Sequence, residues 1–143
     1  MGGWKDAMMS MKVLVIESSS SAASSVCHQL ARLSMTPLAA NNGAQGLAVF
    51  HSEKPDLVLV NTVLPDIDGY QIAEHIRAKE RDGDWTPIIF LSNRNADEEL
   101  ERGISAGADD YLSMPVSEAV FGAKLRAIQR IVQMRNSLVA LTR

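Results

Sequence analysis

Four polar residues stand at the ends of short apolar runs. Glu17 and Ser18 follow KVLVI, Asn61 follows LVLV and Ser92 follows PIIFL. Runs this short and unbroken, rich in Val and Ile, read as strands covered on both faces, as in a parallel sheet. In open parallel α/β sheets ligand chemistry sits beyond the carboxyl ends of the strands. The four residues therefore occupy the places where chemistry would be done, and their types restrict it. Asn61 is an amide, uncharged and no nucleophile at neutral pH. Glu17 is a single carboxylate. The set offers no base paired to a nucleophile, so an enzyme is not expected.

The elements that must position these residues alternate regularly. The first strand is Lys12–Ile16, and the serines after it read as a turn leading into a helix N-cap. A helix follows over about Ser21–Leu33, with Ala22, Val26, Leu30 and Leu33 at helical spacing. Thr36–Ala40 is a short second strand whose Pro37 suits an edge or a strand start. A helix over about Ala44–Ser52 is stopped by Pro55. The central strand at Leu57–Val60 leads through Pro65, Asp66, Asp68 and Gly69 into a helix over about Gly69–Lys79, with Ile72, Ala73 and Ile76 as its buried stripe. The fourth strand is Pro87–Leu91. A polar helix over about Asp97–Ser105 starts with Asp97 and Glu98 in its first turn, which the macrodipole favours, and Gly103 and Gly107 weaken or end it. Asp110–Leu112 is the fifth strand, Met114-Pro115 a turn, and Ser117 caps a last long helix. Five strands alternating with five helices predict a doubly wound, flavodoxin-like three-layer sandwich. For five strands the common order is 2-1-3-4-5.

Composition excludes several classes. The chain has 143 residues, 46% of them hydrophobic, and a net charge of −3, which is no footprint for nucleic acid. A single cysteine, Cys27, rules out an internal disulfide framework and a cysteine-only metal site. It reads as a small core or half-exposed residue in a reducing, cytoplasmic setting. No apolar run reaches transmembrane length, so no membrane insertion is expected. Residues 1–11 read as a leader, 12–130 as the folded domain and 131–143 as a helical extension.

The motifs KVLVIES, DLVLVNTVLPDIDGYQIAEHIR, TPIIFLSN and GADDYLSMPV, in this order and spacing, resemble the receiver domain of two-component response regulators. The resemblance runs from about Lys12 to Ile131. It implies an acidic pair after the first strand that binds Mg²⁺, and an aspartate ending the third strand that accepts a phosphoryl group from a histidine kinase. It also implies a hydroxyl ending the fourth strand, a lysine before the fifth-strand proline and an aromatic switch on the fifth strand. Carried over, the acidic pair falls on Glu17 and Ser18, the acceptor on Asn61, the hydroxyl on Ser92, the aromatic on Tyr111 and the lysine on Met114, before Pro115. This chain keeps the hydroxyl and the aromatic and departs at the other three places.

Phosphoryl transfer needs an anionic nucleophile, a metal and cations that spread the charge of three equatorial oxygens. Mg²⁺ takes carboxylates in near-octahedral oxygen sites. Glu17, the Asn61 side-chain oxygen and the Val63 main-chain oxygen are weak candidates, so Mg²⁺ binding is expected to be feeble or absent, and no other cofactor is implied. Met114 puts a thioether where a phosphate wants an ammonium. The expectation is a degenerate receiver, a signalling module acting through protein partners. Three readings of its pocket stay open: it only packs, it is locked in one state with Asn61 bonded to Ser92 or Ser18, or it binds something else. The rival functions are a working phosphoacceptor that uses another residue and a regulatory domain of a larger output protein. Asp66 and Asp68 read as turn-forming carboxylates.

Partner recognition, of a histidine kinase or an output partner, is assigned to the face of the fourth helix, fifth strand and fifth helix, around Tyr111, Arg102 and Lys124. Beyond Arg130 the last helix carries Ile131, Met134, Leu138 and Leu141 at 3, 4, 3 spacing. That short heptad-like seam favours a homodimer or a link to an output domain. The histidines His28, His51 and His75 fall on separate helices without ligand spacing and are not expected to form a metal site.

Overall fold

The computed structural model describes residues 10–93 and 97–142, with residues 97 and 98 described for the backbone alone. Most of the leader, and the side chains of Asp97 and Glu98, lie outside the described residues. The chain order is β1 (Lys12–Ile16), α1 (Ser20–Arg32), β2 (Thr36–Ala40), α2 (Gly43–Glu53), β3 (Leu57–Asn61), α3 (Gly69–Ala78), β4 (Ile88–Ser92), α4 (Asp97–Ala106), β5 (Asp110–Ser113) and α5 (Glu118–Thr142). All four strand pairings are parallel and the sheet order is β2-β1-β3-β4-β5.

Side-chain alternation along the strands builds two cores, one on each face of the sheet. Val13, Val15, Leu57, Leu59, Ile89 and Leu91 meet Val26 and Leu30 of α1 and Phe121 and Leu125 of α5. Leu14, Ile16, Val58, Val60, Ile88 and Phe90 meet Ile72, Ala73 and Ile76 of α3, with Leu47, Val49 and Phe50 of α2 against them. The strands are thus apolar on both faces because both faces are covered.

Local chemistry sets the helix starts. Ser19 caps α1 through the Ala22 N–H, and Asn42 caps α2 through the Gln45 N–H. Asp68 and Gln71 form a reciprocal capping box on α3. Ser117 accepts from Val120 N–H at the start of α5. Gly103 does not break α4. It lies inside the helix because a Cβ there would stand 2.8 Å from the Phe90 ring, so the glycine admits close helix–sheet contact. The 25 residues of α5 reach about 37 Å. Its contact with the body continues past Arg130, with Val132 buried in the first core and Arg135 donating to the Gly83 carbonyl.

Candidate functional site

Register brings the strand ends level. Ile16 pairs with Val60, Asn61 with Leu91 and Ser92 with Ser113. Glu17 continues the alternation of Val13 and Val15, and Asn61 that of Leu57 and Leu59. Their side chains therefore emerge from neighbouring strands on the same face, that of α1 and α5.

There they bond each other. The Asn61 Nδ2 donates to Glu17 Oε1 at 2.8 Å, and Asn61 Oδ1 accepts from the Val63 N–H at 2.9 Å. Glu17 is buried, and its second oxygen accepts from the Ser19 N–H at 3.3 Å. The amide orientation follows from the partners, since a carboxylate needs a donor and an N–H needs an acceptor. An aspartate at position 61 would have no proton for Glu17. Gly69 completes the frame: its N–H bonds the Thr62 carbonyl at 3.0 Å, and a Cβ there would come within 2.5 Å of the Asn61 carbonyl oxygen.

Around this pair lies a cavity of about 640 Å³, lined by Glu17, Ser18, Ser19, Ala22, Val26, Asn61, Val63, Leu91, Asn93 and Met114. Among the described residues, its walls carry one carboxylate, Glu17, and no lysine or arginine. Met114 packs against the first core, and the peptide between it and Pro115 is cis. Its N–H donates to the Ser92 carbonyl at 2.6 Å, tying the ends of β4 and β5 together.

Of the residues expected to gather, Glu17, Ser18, Asn61 and Met114 share this cavity. Ser92 is buried and follows the alternation of Phe90, which points into the opposite core. Tyr111 pairs with Phe90 across β4 and β5 and packs half-buried against that same core. The Asn61 side chain is held by Glu17 and Val63, where bonds to Ser92 or Ser18 were envisaged.

The carboxylates of the β3–α3 loop are structural. Asp68 caps α3, and Asp66 accepts from the Gly43 and Ala44 N–H groups at 2.8 Å each, clamping the start of α2. Those backbone donors hold the Asp66 carboxyl below its ordinary value. Tyr70 is buried under Arg102, whose guanidinium lies 4.2 Å from the ring centroid, and its hydroxyl donates to Glu99. Burial first, then Glu99, pushes its hydroxyl up to about 12. Lys124 reaches Asp110 at 3.0 Å, and Cys27 is half-buried with its thiol raised by burial.

His51 and His75 lie on separate helices, α2 and α3, and meet there with their Nε2 atoms 3.4 Å apart. They are 24 residues apart in the chain, so no periodicity signals the pair; the winding of the sheet sets α2 beside α3. Among the described residues no cluster of three or more His, Cys, Asp or Glu forms, and no helix is long and apolar enough to cross a membrane.

The profile of the response regulator receiver domain matches residues 13–126. Over 91 residues the chain is 38% identical to the transcriptional regulatory protein AfsQ1 of Streptomyces coelicolor, covering 64% of this chain and 39% of that protein. It is 29% identical over 132 residues to the response regulator MprA of Mycobacterium ulcerans, covering 92% and 56%. The chain thus spans about half, or less, of the length of these relatives. Among solved structures it is similar to a two-component response regulator from Clostridium difficile, with a TM-score of 0.77 and 26% identity over 84% of this chain and 96% of the other. It is similar also to the BeF3-activated N-terminal receiver domain of Klebsiella pneumoniae RstA, with a TM-score of 0.77 and 27% identity over 83% and 98%.

Proposed function

Because the chain belongs to the response regulator receiver domain family of two-component signalling, we propose that it is a receiver whose output does not depend on phosphorylation of position 61. One observation carries this reading: the 2.8 Å bond from Asn61 Nδ2 to Glu17 Oε1. It closes the Glu17 carboxylate onto a neutral amide. Both Glu17 oxygens and the Asn61 oxygen are already engaged, and an N–H faces the carboxylate where a metal would want oxygen. Such a donor set does not fit Mg²⁺. With Met114 in the wall, no described residue lining the cavity supplies a cation to answer the charge of a phosphoryl group.

Substitute acceptors are disfavoured by their duties. Asp66 and Asp68 each hold a helix start. The reading as a regulatory domain of a larger protein is supported by the relatives, of which the matched residues cover 39% and 56%. Recognition of a kinase or output partner is assigned to α4, β5 and α5. There Leu100 and Ile104 are exposed one turn apart on α4, and Val120 is exposed on α5, one turn from Lys124. A homodimer through that face or through Ile131, Met134, Leu138 and Leu141 is the expected assembly.

The test exposes the protein to acetyl phosphate, and then to beryllofluoride with Mg²⁺, and follows intact mass and amide NMR shifts. No mass gain and no saturable shifts at Asn61, Ser92 and Tyr111 are expected. A phosphoryl adduct on the chain would overturn the reading.

A further inference from the structure

His51 lies in the last turn of α2 and His75 in the last turns of α3. Both helices run back across the sheet, so these ends lie at the edge where β3 begins, opposite the Glu17–Asn61 cavity. The two rings approach end to end, with Nε2 atoms 3.4 Å apart and ring centroids 5.6 Å apart. That separation is long for an N–H···N hydrogen bond, whose ordinary range ends near about 3.2 Å. It is close to the spacing of two imidazole nitrogens on one tetrahedral ion: with metal–nitrogen bonds of about 2.05 Å, the two stand about 3.3 Å apart.

We propose that His51 and His75 form a two-histidine site for a transition-metal cation of the Zn²⁺ class. Two further features support it. The Phe50 ring stands edge-on to His51, with centroids 5.5 Å apart, and limits that ring's freedom. Both histidines sit near helix carbonyl ends, where the macrodipole favours positive charge. Imidazole nitrogen selects Zn²⁺, Ni²⁺ or Cu²⁺ over Mg²⁺, which prefers oxygen. Each ring then carries its own proton on Nδ1, a small tilt of each ring aims both lone pairs at one ion, and two waters complete four-coordination. The ion would tie α2 to α3. Lys79 opposes it, so the affinity is modest.

The test titrates the full chain with ZnCl₂ and, in parallel, MgCl₂, reading stoichiometry by calorimetry and ligation by imidazole ¹⁵N NMR. The same titration is run on His51→Gln, His75→Gln and the double control Cys27→Ser/His28→Gln. These are exposed or half-exposed positions, and circular dichroism verifies that each variant is folded. One Zn²⁺ per chain is expected, with shifted Nε2 resonances of both rings and no response to Mg²⁺. Each single histidine variant should weaken binding by more than about tenfold, since loss of even an outer-shell partner costs about 10–100-fold, while the double control binds normally. No saturable binding, binding unchanged in either single variant, or binding lost in the double control would overturn the proposal and leave the pair a histidine–histidine hydrogen bond.

Discussion

Replacing Asn61 by Asp changes one amide NH₂ to an oxygen and almost nothing in shape, so it isolates the bond that closes the pocket. The variant loses a hydrogen bond to a charged acceptor, about 1.5–3 kcal/mol. It also sets a second carboxylate against Glu17, which is buried. With charge centres about 4 Å apart and an effective dielectric of about 20, the repulsion is about 4 kcal/mol. Protonation of one partner caps the cost, because raising a carboxyl by about three pH units to reach neutrality costs about 4 kcal/mol. The structure therefore predicts a loss of about 2–4 kcal/mol at pH 7 in metal-free buffer, read by urea unfolding, or a fall in Tm of about 3 °C per kcal/mol. The pH dependence has a definite sign. The new carboxyl would titrate higher in the folded than in the unfolded state, so its penalty is full above the folded value. It fades as pH falls and is gone below about pH 4. Mg²⁺ should recover part of the loss, because two carboxylates now face one point. If Asn61→Asp is as stable as the parent at pH 7 in EDTA, the Asn61–Glu17 bond does not hold the pocket, and the site is not closed by it.

Two further outcomes follow from packing and burial. Gly46→Ala puts a Cβ 2.5 Å from Ile16 Cδ1, on a side chain with no free volume, and should cost about 1–2 kcal/mol despite better helix propensity, whereas the Cβ of Gly122→Ala meets Leu33 at an ordinary 3.7 Å and should stabilise by about 0.5–1 kcal/mol; thermal melts of the two variants check the opposite signs. Tyr70 has its hydroxyl pushed up to about 12, above its unfolded value near 10, so its contribution is complete below about pH 10 and is lost as pH rises toward 12. Tyr70→Phe should flatten the stability–pH curve in that window, as measured by urea unfolding between pH 9 and about 12.

The order and type of the elements were legible in the chain because they rest on local causes. Apolar runs such as Leu57–Val60 bury both faces, Asp68 and Ser117 cap the helices that follow them, and Pro55 stops a helix. The identity of the strand-end residues was legible too: Asn61, Ser18 and Met114 declare their chemistry by type, wherever they point. What those side chains touch was decided only in three dimensions. Parallel register and the alternation of faces turn Asn61 toward Glu17, 44 residues away, while Phe90 on the neighbouring strand packs into the opposite core. The same winding brings His51 against His75, a meeting with no trace in sequence spacing. Propensity and capping act over a few residues, and so can be read along the chain. Contacts between strand ends and helix ends depend on how the sheet is wound, and only the folded protein contains that information.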